Sequence, residues 1–172
     1  MSFSFGRSAL AAFAFSVSAG VAIAQSAGPT LLGTHDAWET YKTNDSRGAV
    51  CYAVTQPQAK EPASAKRDMV YFLITTWPKQ NIANEPSIVI GYTFKPGTKA
   101  TVQVGSDKWD FFTKGDGAWL PNGPDEGRLI TAMRGAGEMT VKAYSQRGTL
   151  TTDTYSLKGI SAALDKVAEG CK

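Results

Sequence analysis

Residues 87–104, SIVIGYTFKPGTKATVQV, decide the fold class because apolar and polar side chains alternate through both halves of the stretch. In the second half, Ala100, Val102 and Val104 lie on one face. Alternation with a period of two is typical of strands that bury one face. The linking residues 95–98 (KPGT) place Pro and Gly where a type II turn needs them. We therefore predict a hairpin of strands 87–94 and 99–104.

Further strand patterns flank this stretch. Residues 108–111 (KWDF) continue the alternation after a turn at 105–107, which predicts a three-strand meander. Residues 68–77 (DMVYFLITTW) are apolar on both faces, so we interpret them as a central strand covered on both sides. Residues 138–145 and 150–157 flank the turn residues QRGT and predict a second hairpin.

Helical spacing occurs in two segments. Near the C-terminus the apolar side chains recur at i, i+3, i+4, i+7 and i+11, which predicts an amphipathic helix with one face on the core: Ile160, Ala163, Leu164, Val167 and Cys171. Residues 124–134 favour a short helix over a strand. We expect loops at 56–66, 78–86 and 115–127. The fold predicted is mainly β, an antiparallel β-sandwich or flattened barrel with a C-terminal helix packed on it.

The N-terminal 24 residues are typical of an export signal. Arg7 is their one basic residue, and the apolar run that follows carries no charge. Small residues at Ala22 and Ala24 predict cleavage between Ala24 and Gln25, which leaves residues 25–172 as a single β-rich domain. An uncleaved anchor is the alternative, but the run is shorter than the roughly 20 residues that span a bilayer. We expect no transmembrane span in the mature chain and a periplasmic location, with outer-membrane association or secretion as the alternatives.

Cys51 and Cys171 are the only two cysteines of the chain. An oxidising compartment favours joining them. Cys171 lies on the apolar face of the predicted helix and so points to the core, and Cys51 lies in an apolar run with strand character, so a bond between them would join the last helix to an early strand. We predict that a disulfide joins the two; two separate buried thiols are the alternative.

Composition excludes several classes of function. The formal net charge of +3 is small and scattered along the chain, so we expect no nucleic-acid partner. His35 is the one histidine and we expect it to be solvated near the mature N-terminus. With the cysteines joined to each other, we predict no metal and no cofactor. Neither a Gly-x-Ser-x-Gly motif nor a glycine-rich phosphate loop is present.

Two sets of residues remain as candidates for a functional site. A carboxylate pair for hydrolysis would come from the acidic residues of the glycine-rich region and the strand before it: Asp110, Asp116, Asp125 and Glu126. A binding surface would come from tryptophans beside predicted loops and from arginines near strand or helix ends: Trp77, Trp119, Arg128, Arg134 and Arg147. Most such tryptophans fill cores and most such arginines are solvated.

In the C-terminal half, the segment 152–164 (TDTYSLKGISAAL) is preceded by the segments 129–135 (LITAMRG), 139–142 (MTVK) and 147–149 (RGT). These segments resemble the invasion-associated locus B family of small exported alphaproteobacterial proteins, and the block 149–164 is the most specific part. Upstream matches include Trp38, 51–52 (CY), 68–74, 91–94 and 118–119 (AW). The family pattern also has one early and one terminal cysteine. The resemblance implies an envelope protein named for a role in host-cell entry, and it implies no catalytic residues.

The function expected from the sequence is therefore binding and not catalysis. The expected partner is a protein or another envelope component, or a host-cell surface. A periplasmic hydrolase that uses a carboxylate pair is one alternative, and a structural or stress-protective envelope protein is another.

Overall fold

The computed structural model describes residues 28–121 and 123–172. The predicted signal peptide and its cleavage site at Ala24 and Gln25 lie outside the described residues. Within the described ranges, no helix has both the length and the apolar character that crossing a bilayer requires.

The described residues form one antiparallel sheet and two α-helices. The strands are β1 (Thr30–His35), β2 (Trp38–Asp45), β3 (Gly48–Thr55), β4 (Ala59–Glu61), β5 (Tyr71–Trp77), β6 (Ile82–Val89), β7 (Lys99–Val104), β8 (Asp107–Lys114), β9 (Gly117–Trp119), β10 (Glu138–Tyr144) and β11 (Leu150–Ser156). The helices are α1 (Pro124–Gly135) and α2 (Ile160–Gly170), and a single 3-10 turn covers Pro78–Gln80. The strand order is β1-β2-β3-β5-β6-β9-β8-β7-β10-β11-β4.

The sheet curls so that its two halves face each other across the core. The ring of Phe72 on β5 lies 6.3 Å from Phe111 on β8 and 5.9 Å from Tyr155 on β11, measured between ring centroids. These strands are not neighbours in the sheet, so their side chains meet through the interior. Among the described residues the end strands β1 and β4 do not pair with each other, so the flattened barrel stays open. The predicted mainly β fold with a C-terminal helix is confirmed.

The first predicted hairpin is wrong in its partners. Strand β6 ends at Val89 and pairs with β5 and β9, whereas β7 pairs with β8 and β10. The predicted turn exists, since the Thr98 amide donates to the Lys95 carbonyl at 3.2 Å. The residues before it cross between parts of the sheet, and the amides of Ile90 and Phe94 donate to carbonyls in the β8–β9 turn. Alternation identifies a strand but carries no information on which strand pairs with it.

Other predicted elements are confirmed. Strands β7 and β8 form a hairpin that buries Trp109 and Phe111, and β10 pairs with β11 along its whole length. Both predicted helices form as α1 and α2. The three predicted loops need correction, because 56–66 contains β4, 78–86 contains the start of β6, and 115–127 contains β9 and the start of α1. Segments 56–66 and 115–127 each hold a strand of only three residues, which is too short for its alternation to be recognised.

Strand β5 lies in the interior of the sheet between β3 and β6, as predicted for residues 68–77. Its inward side chains Phe72 and Ile74 are fully buried. The outward side chains Tyr71 and Leu73 are only half-buried, so the expected cover on both sides is incomplete. Apolar residues on both faces of this strand therefore indicate a core face and a second apolar face at the surface.

Helix α2 packs on β1, β2 and β3 and is joined to them covalently. Cys51 of β3 and Cys171 directly after α2 form the predicted disulfide, with 5.8 Å between their Cα atoms. Beside it, the Lys42 ammonium of β2 donates to the Gly170 carbonyl at 2.6 Å. The helix places Ala163, Leu164 and Val167 in the core.

Candidate functional site

The outward face of the sheet carries a row of directly paired residues that crosses seven strands. In order from β2 to β7 the row reads Glu39, Val54, Leu73, Ser87, Trp119, Phe112 and Lys99. Residues paired across antiparallel strands lie on the same face of a sheet. The row therefore has a charged residue at each end, Glu39 and Lys99, and the residues between them are apolar apart from Ser87.

A second row extends this surface over the strands on the β1 side. Leu31 of β1 pairs with Tyr41 of β2, which pairs with Tyr52 of β3. We call the apolar members of the two rows the outer aromatic face: Leu31, Tyr41, Tyr52, Val54, Leu73, Phe112 and Trp119. Exposed positions on it include Leu31 at 52% and Phe112 at 49%. Large apolar side chains at such exposure are the feature that the expected binding surface requires.

Stacked pairs hold the aromatic rings of this face in place. Tyr41 stacks on Tyr52 with 5.5 Å between centroids, and Phe112 stacks on Trp119 with 5.7 Å. The indole of Trp119 also lies over Gly117, where a Cβ atom would come within 2.4 Å of the ring. The glycine thus leaves room for the indole to lie flat against the strand. Rings fixed in this way lose little entropy when a partner binds.

Two carboxyl groups lie at one side of the outer aromatic face. Glu85 of β6 continues the second row because it pairs with Thr75, which pairs with Tyr52. Burial raises the pKa of Glu85, the negative charge of Glu126 raises it further, and Arg47 acts in the opposite direction. Burial also raises the pKa of Glu126 at the start of α1. Glu85 is a site residue that the sequence analysis did not select.

The predicted binding residues are distributed over several parts of the protein. Trp119 belongs to the outer aromatic face, and Trp77 at the end of β5 lies under the guanidinium of Arg47 at 4.6 Å from the ring centroid. Arg128 pairs with Asp125 within α1, at 2.9 Å.

The other two predicted arginines lie outside the strands that carry that face. Arg134 joins α1 to α2 through the Asp165 carboxylate at 3.0 Å. Arg147 lies in the turn between β10 and β11. The five residues therefore lie on four different elements, namely β5, β9, α1 and the turn between β10 and β11.

Three of the four predicted carboxylates point into solvent. The side chain of Asp110 is 52% exposed and pairs with Lys99, and that of Asp125 is 53% exposed and pairs with Arg128. Asp116 is exposed in the turn before β9. Glu126 is half-buried, and its electrostatic neighbour is Glu85, not another member of the predicted set.

His35 does not have the environment expected for it. It lies at the end of β1, half-buried, and its Nε2 atom is shielded from solvent with no hydrogen-bond partner among the described residues. Within the same residues, no three His, Cys, Asp or Glu side chains cluster as metal ligands would.

A buried ion pair inside the barrel was also missed by the sequence analysis. The guanidinium of Arg67 donates to both carboxylate oxygens of Asp153, with 2.8 Å from Nη1 to Oδ2. Burial raises the pKa of the Asp153 carboxyl, while the bonds from Arg67 lower it. Nearby, the Tyr92 hydroxyl is hydrogen-bonded to the Thr151 hydroxyl at 2.7 Å. No local motif marks Arg67 as the partner of a residue so distant in the chain.

Comparison with known proteins gives a family and a related fold. The profile of the family described as invasion associated locus B (IalB) protein matches residues 38–168. No protein with a curated description matches the sequence significantly. The crystal structure of invasion associated protein b from Bartonella henselae is similar in fold, with a TM-score of 0.57 and 14% sequence identity. That similarity covers 80% of this chain and 94% of the Bartonella chain. Since the profile spans most of the sequence, this chain belongs to the invasion associated locus B family.

Proposed function

We propose that this protein is exported to the bacterial envelope and acts there by binding another envelope component through its outer aromatic face. The observation that carries the proposal is the set of partly exposed apolar residues in the two rows, which lie on six strands and are interrupted only by Ser87 of β6 in the central row. A host-cell surface is the second candidate partner, in line with the invasion-associated name of the family.

The composition of the face supports a protein partner or a comparable envelope component. Tyrosine and tryptophan are enriched at interfaces because they bury a large area at a small cost in entropy. Glu39 and Lys99 lie at opposite ends of the central row and supply charges at the rim. Rim charges contribute to orientation and association rate more than to affinity.

An oxidising compartment agrees with the covalent link of α2 to β3. Disulfides persist in the periplasm and outside the cell, whereas cytosolic thiols stay reduced. We therefore place the mature protein in the periplasm, with outer-membrane association or secretion as the alternatives.

We propose no catalytic role for the chain. Asp110 and Asp125 are each about half exposed and engaged in surface ion pairs, which is an unsuitable environment for a general acid. A hydrolase would need two carboxylates in one cleft, and the pair that the structure offers instead is Glu85 with Glu126. Glu85→Gln therefore tests the hydrolase alternative. A hydrolytic activity that is present in the wild type and lost in this variant would favour a hydrolase.

Site-specific photo-crosslinking tests the binding role. A photoreactive phenylalanine analogue at Phe112 should capture a discrete partner in intact envelopes, because this ring is exposed at the β8 end of the face. The same analogue at Thr131, exposed on α1, is the control and should capture none. Equal crosslinking from both positions, or none from Phe112, would contradict the proposal and favour a structural or stress-protective role.

Affinity isolation gives a second test. Phe112→Glu places a charge in the apolar row, and Thr131→Glu makes the same change of charge on α1. Recovery of the partner from a gently extracted envelope fraction should fall at least tenfold for Phe112→Glu, which corresponds to about 1.4 kcal/mol of binding free energy. It should be unchanged for Thr131→Glu. Thr131→Glu should keep the melting temperature of the wild type within about 2 °C, since this position is exposed. Phe112→Glu also loses the stacking on Trp119, so its free energy of unfolding should fall by up to about 1 kcal/mol, and circular dichroism at the temperature of the assay should show that it stays folded.

A further inference from the structure

A cleft of about 590 Å³ opens between two turns, away from the outer aromatic face. One wall is the segment before β5, and the other is the turn between β10 and β11. We call it the turn cleft and define it by six of the residues that line it: Ser64, Lys66, Tyr92, Gln146, Arg147 and Thr151. Its volume lies in the range of pockets that hold small molecules.

The charge of the turn cleft is positive. Lys66 and Arg147 line it from opposite walls, and no Asp or Glu belongs to its lining among the described residues. Within the same part of the chain, neither cation forms an ion pair with a carboxylate. Asp153 lies nearby in the interior, but Arg67 neutralises it. Two unpaired cations that face one cleft favour an anion with several oxygens, such as phosphate.

The rest of the lining is rich in hydroxyl and amide groups. Thr151 is only 1% exposed, and its hydroxyl shares a 2.7 Å hydrogen bond with that of Tyr92 at the base of the cleft. Ser64 and the side-chain amide of Gln146 line the cleft without a hydrogen-bond partner in residues 28–121 and 123–172. Groups that both donate and accept hydrogen bonds match the hydroxyls of a sugar.

Both walls are held in position before any ligand binds. Lys66 is followed by Arg67, whose buried guanidinium is fixed by Asp153 and lies 6.0 Å from the Tyr92 ring centroid. In the opposite wall the Gly148 amide donates to the Ser145 carbonyl at 2.8 Å and closes the turn that carries Arg147. A site whose walls are already ordered loses less entropy on binding.

We propose that the turn cleft binds a phosphorylated sugar, either free in solution or as the headgroup of a lipid. Lys66 and Arg147 bind the phosphate from two sides. Ser64, Gln146 and Tyr92 bind the sugar hydroxyls. This binding site is independent of the outer aromatic face, and it stands or fails separately from the function proposed above.

Calorimetric titration of the mature protein with glucose 6-phosphate tests the proposal, with glucose and inorganic phosphate as the two partial ligands. We expect saturable binding of glucose 6-phosphate that is tighter than that of either partial ligand. Lys66→Ala and Arg147→Ala should each weaken it about tenfold, the effect of one charge-assisted hydrogen bond. The control Lys108→Ala, which removes an exposed lysine on β8, should bind as the wild type does. All variants should keep the wild-type melting temperature, because each residue removed is exposed.

Vesicle flotation distinguishes the two sources of the ligand. Binding to phosphatidylcholine vesicles that contain phosphatidylinositol 4-phosphate, with loss in the Lys66→Ala/Arg147→Ala double variant, would assign a lipid headgroup. Binding of glucose 6-phosphate without flotation would assign a free sugar phosphate. Equal flotation on phosphatidylserine vesicles would show unspecific attraction and overturn the proposal. Absence of both kinds of binding at about 10 mM ligand, or full binding by the double variant, would overturn it as well.

Discussion

The Arg67 guanidinium binds both carboxylate oxygens of Asp153 across 86 positions of the sequence. The side chains are 3% and 0% exposed, so water screens neither charge. Asp153 lies on β11 between β10 and β4, and Arg67 lies just before β5. The pair therefore joins the two facing halves of the sheet through the interior of the barrel.

Removal of one member of this pair should be costly. Arg67→Met leaves the Asp153 carboxylate buried without its partner, and we expect a loss of about 3–5 kcal/mol in the free energy of unfolding. Urea denaturation followed by tryptophan fluorescence measures the change. The double variant Arg67→Met/Asp153→Leu removes both charges and should lose less than Arg67→Met alone. A double variant that is less stable than the single one would show that the pair acts through packing and not through charge.

The pH dependence of stability should carry a contribution from Glu85. Its pKa is raised in the folded protein from the ordinary value of 4.5, first by burial and then by the charge of Glu126. The folded state therefore holds this proton more tightly than the unfolded chain. The resulting stabilisation is complete below the unfolded pKa and is lost as the pH rises through the folded pKa.

Glu85→Gln tests this sign. The variant should melt above the wild type at pH 7, by about 1–2 °C because the site is only half-buried, and the gap should close at about pH 4. Glu138→Gln, at an exposed position of β10, is the matched control. Its melting temperature should differ from that of the wild type by the same amount at pH 7 and at pH 4. A wild type that melts higher than Glu85→Gln at pH 7 would contradict the expected direction.

Loss of the disulfide should lower stability strongly. The bond between Cys51 and Cys171 spans 120 positions, for which the chain-entropy relation gives roughly 4–5 kcal/mol. Cys171→Ser should therefore lower the melting temperature by about 10–20 °C. Reduction of the wild type should lower its melting temperature by the same amount. Reduction should not change the melting temperature of Cys171→Ser. Peptide mapping without reduction should recover the two cysteines in one linked species, and its absence would contradict the pairing.

Gly159 should tolerate no side chain. It precedes α2 with φ of 90°, and a Cβ atom there would lie 2.0 Å from the carbonyl oxygen of His35. Gly159→Ala thus combines backbone strain with a collision against β1, and we expect a loss of about 2–4 kcal/mol.

Gly97→Ala separates the two contributions to that loss. Gly97 has φ of 74° with no atom within 4 Å of the added Cβ, so only the strain of about 1 kcal/mol applies. Equal losses for Gly97→Ala and Gly159→Ala, measured by thermal melting, would show that α2 shifts to avoid the contact.

Local patterns were sufficient to predict the elements that pair with their neighbours in sequence. Strands β7 and β8 and strands β10 and β11 are joined by short turns, so alternation together with turn chemistry identifies both hairpins. Helix α2 was predicted by its spacing of apolar residues. The pairing of β6 was predicted wrongly. Residues 90–98 form hydrogen bonds with other parts of the sheet, so the chain passes from β6 to a strand that is not its neighbour. Pairing between distant strands depends on tertiary packing, which alternation does not report.

The candidate site was predicted only in part for the same reason. Trp119 was selected, but its stacking partner Phe112 and the other members of the outer aromatic face were not, because they come together only when the seven strands from β1 to β8 in the sheet order align. The sequence of β5 did contain a sign of the apolar surface, because its outward residues Tyr71 and Leu73 are apolar although they are only half-buried. Arg147 was selected, whereas Lys66 on the opposite wall of the turn cleft was read as part of a polar loop.

The open ends of the sheet differ from a bare strand edge in ways that affect self-association. At one end β4 has only three residues and presents Lys60 and Glu61, with Pro62 next to them unable to donate a hydrogen bond. At the other end β1 carries a bulge between Leu31 and Gly33, which interrupts the regular spacing of its backbone groups. Growth of fibrils by strand addition is therefore obstructed at both edges. At high concentration this fold should aggregate more slowly than its strand content alone suggests.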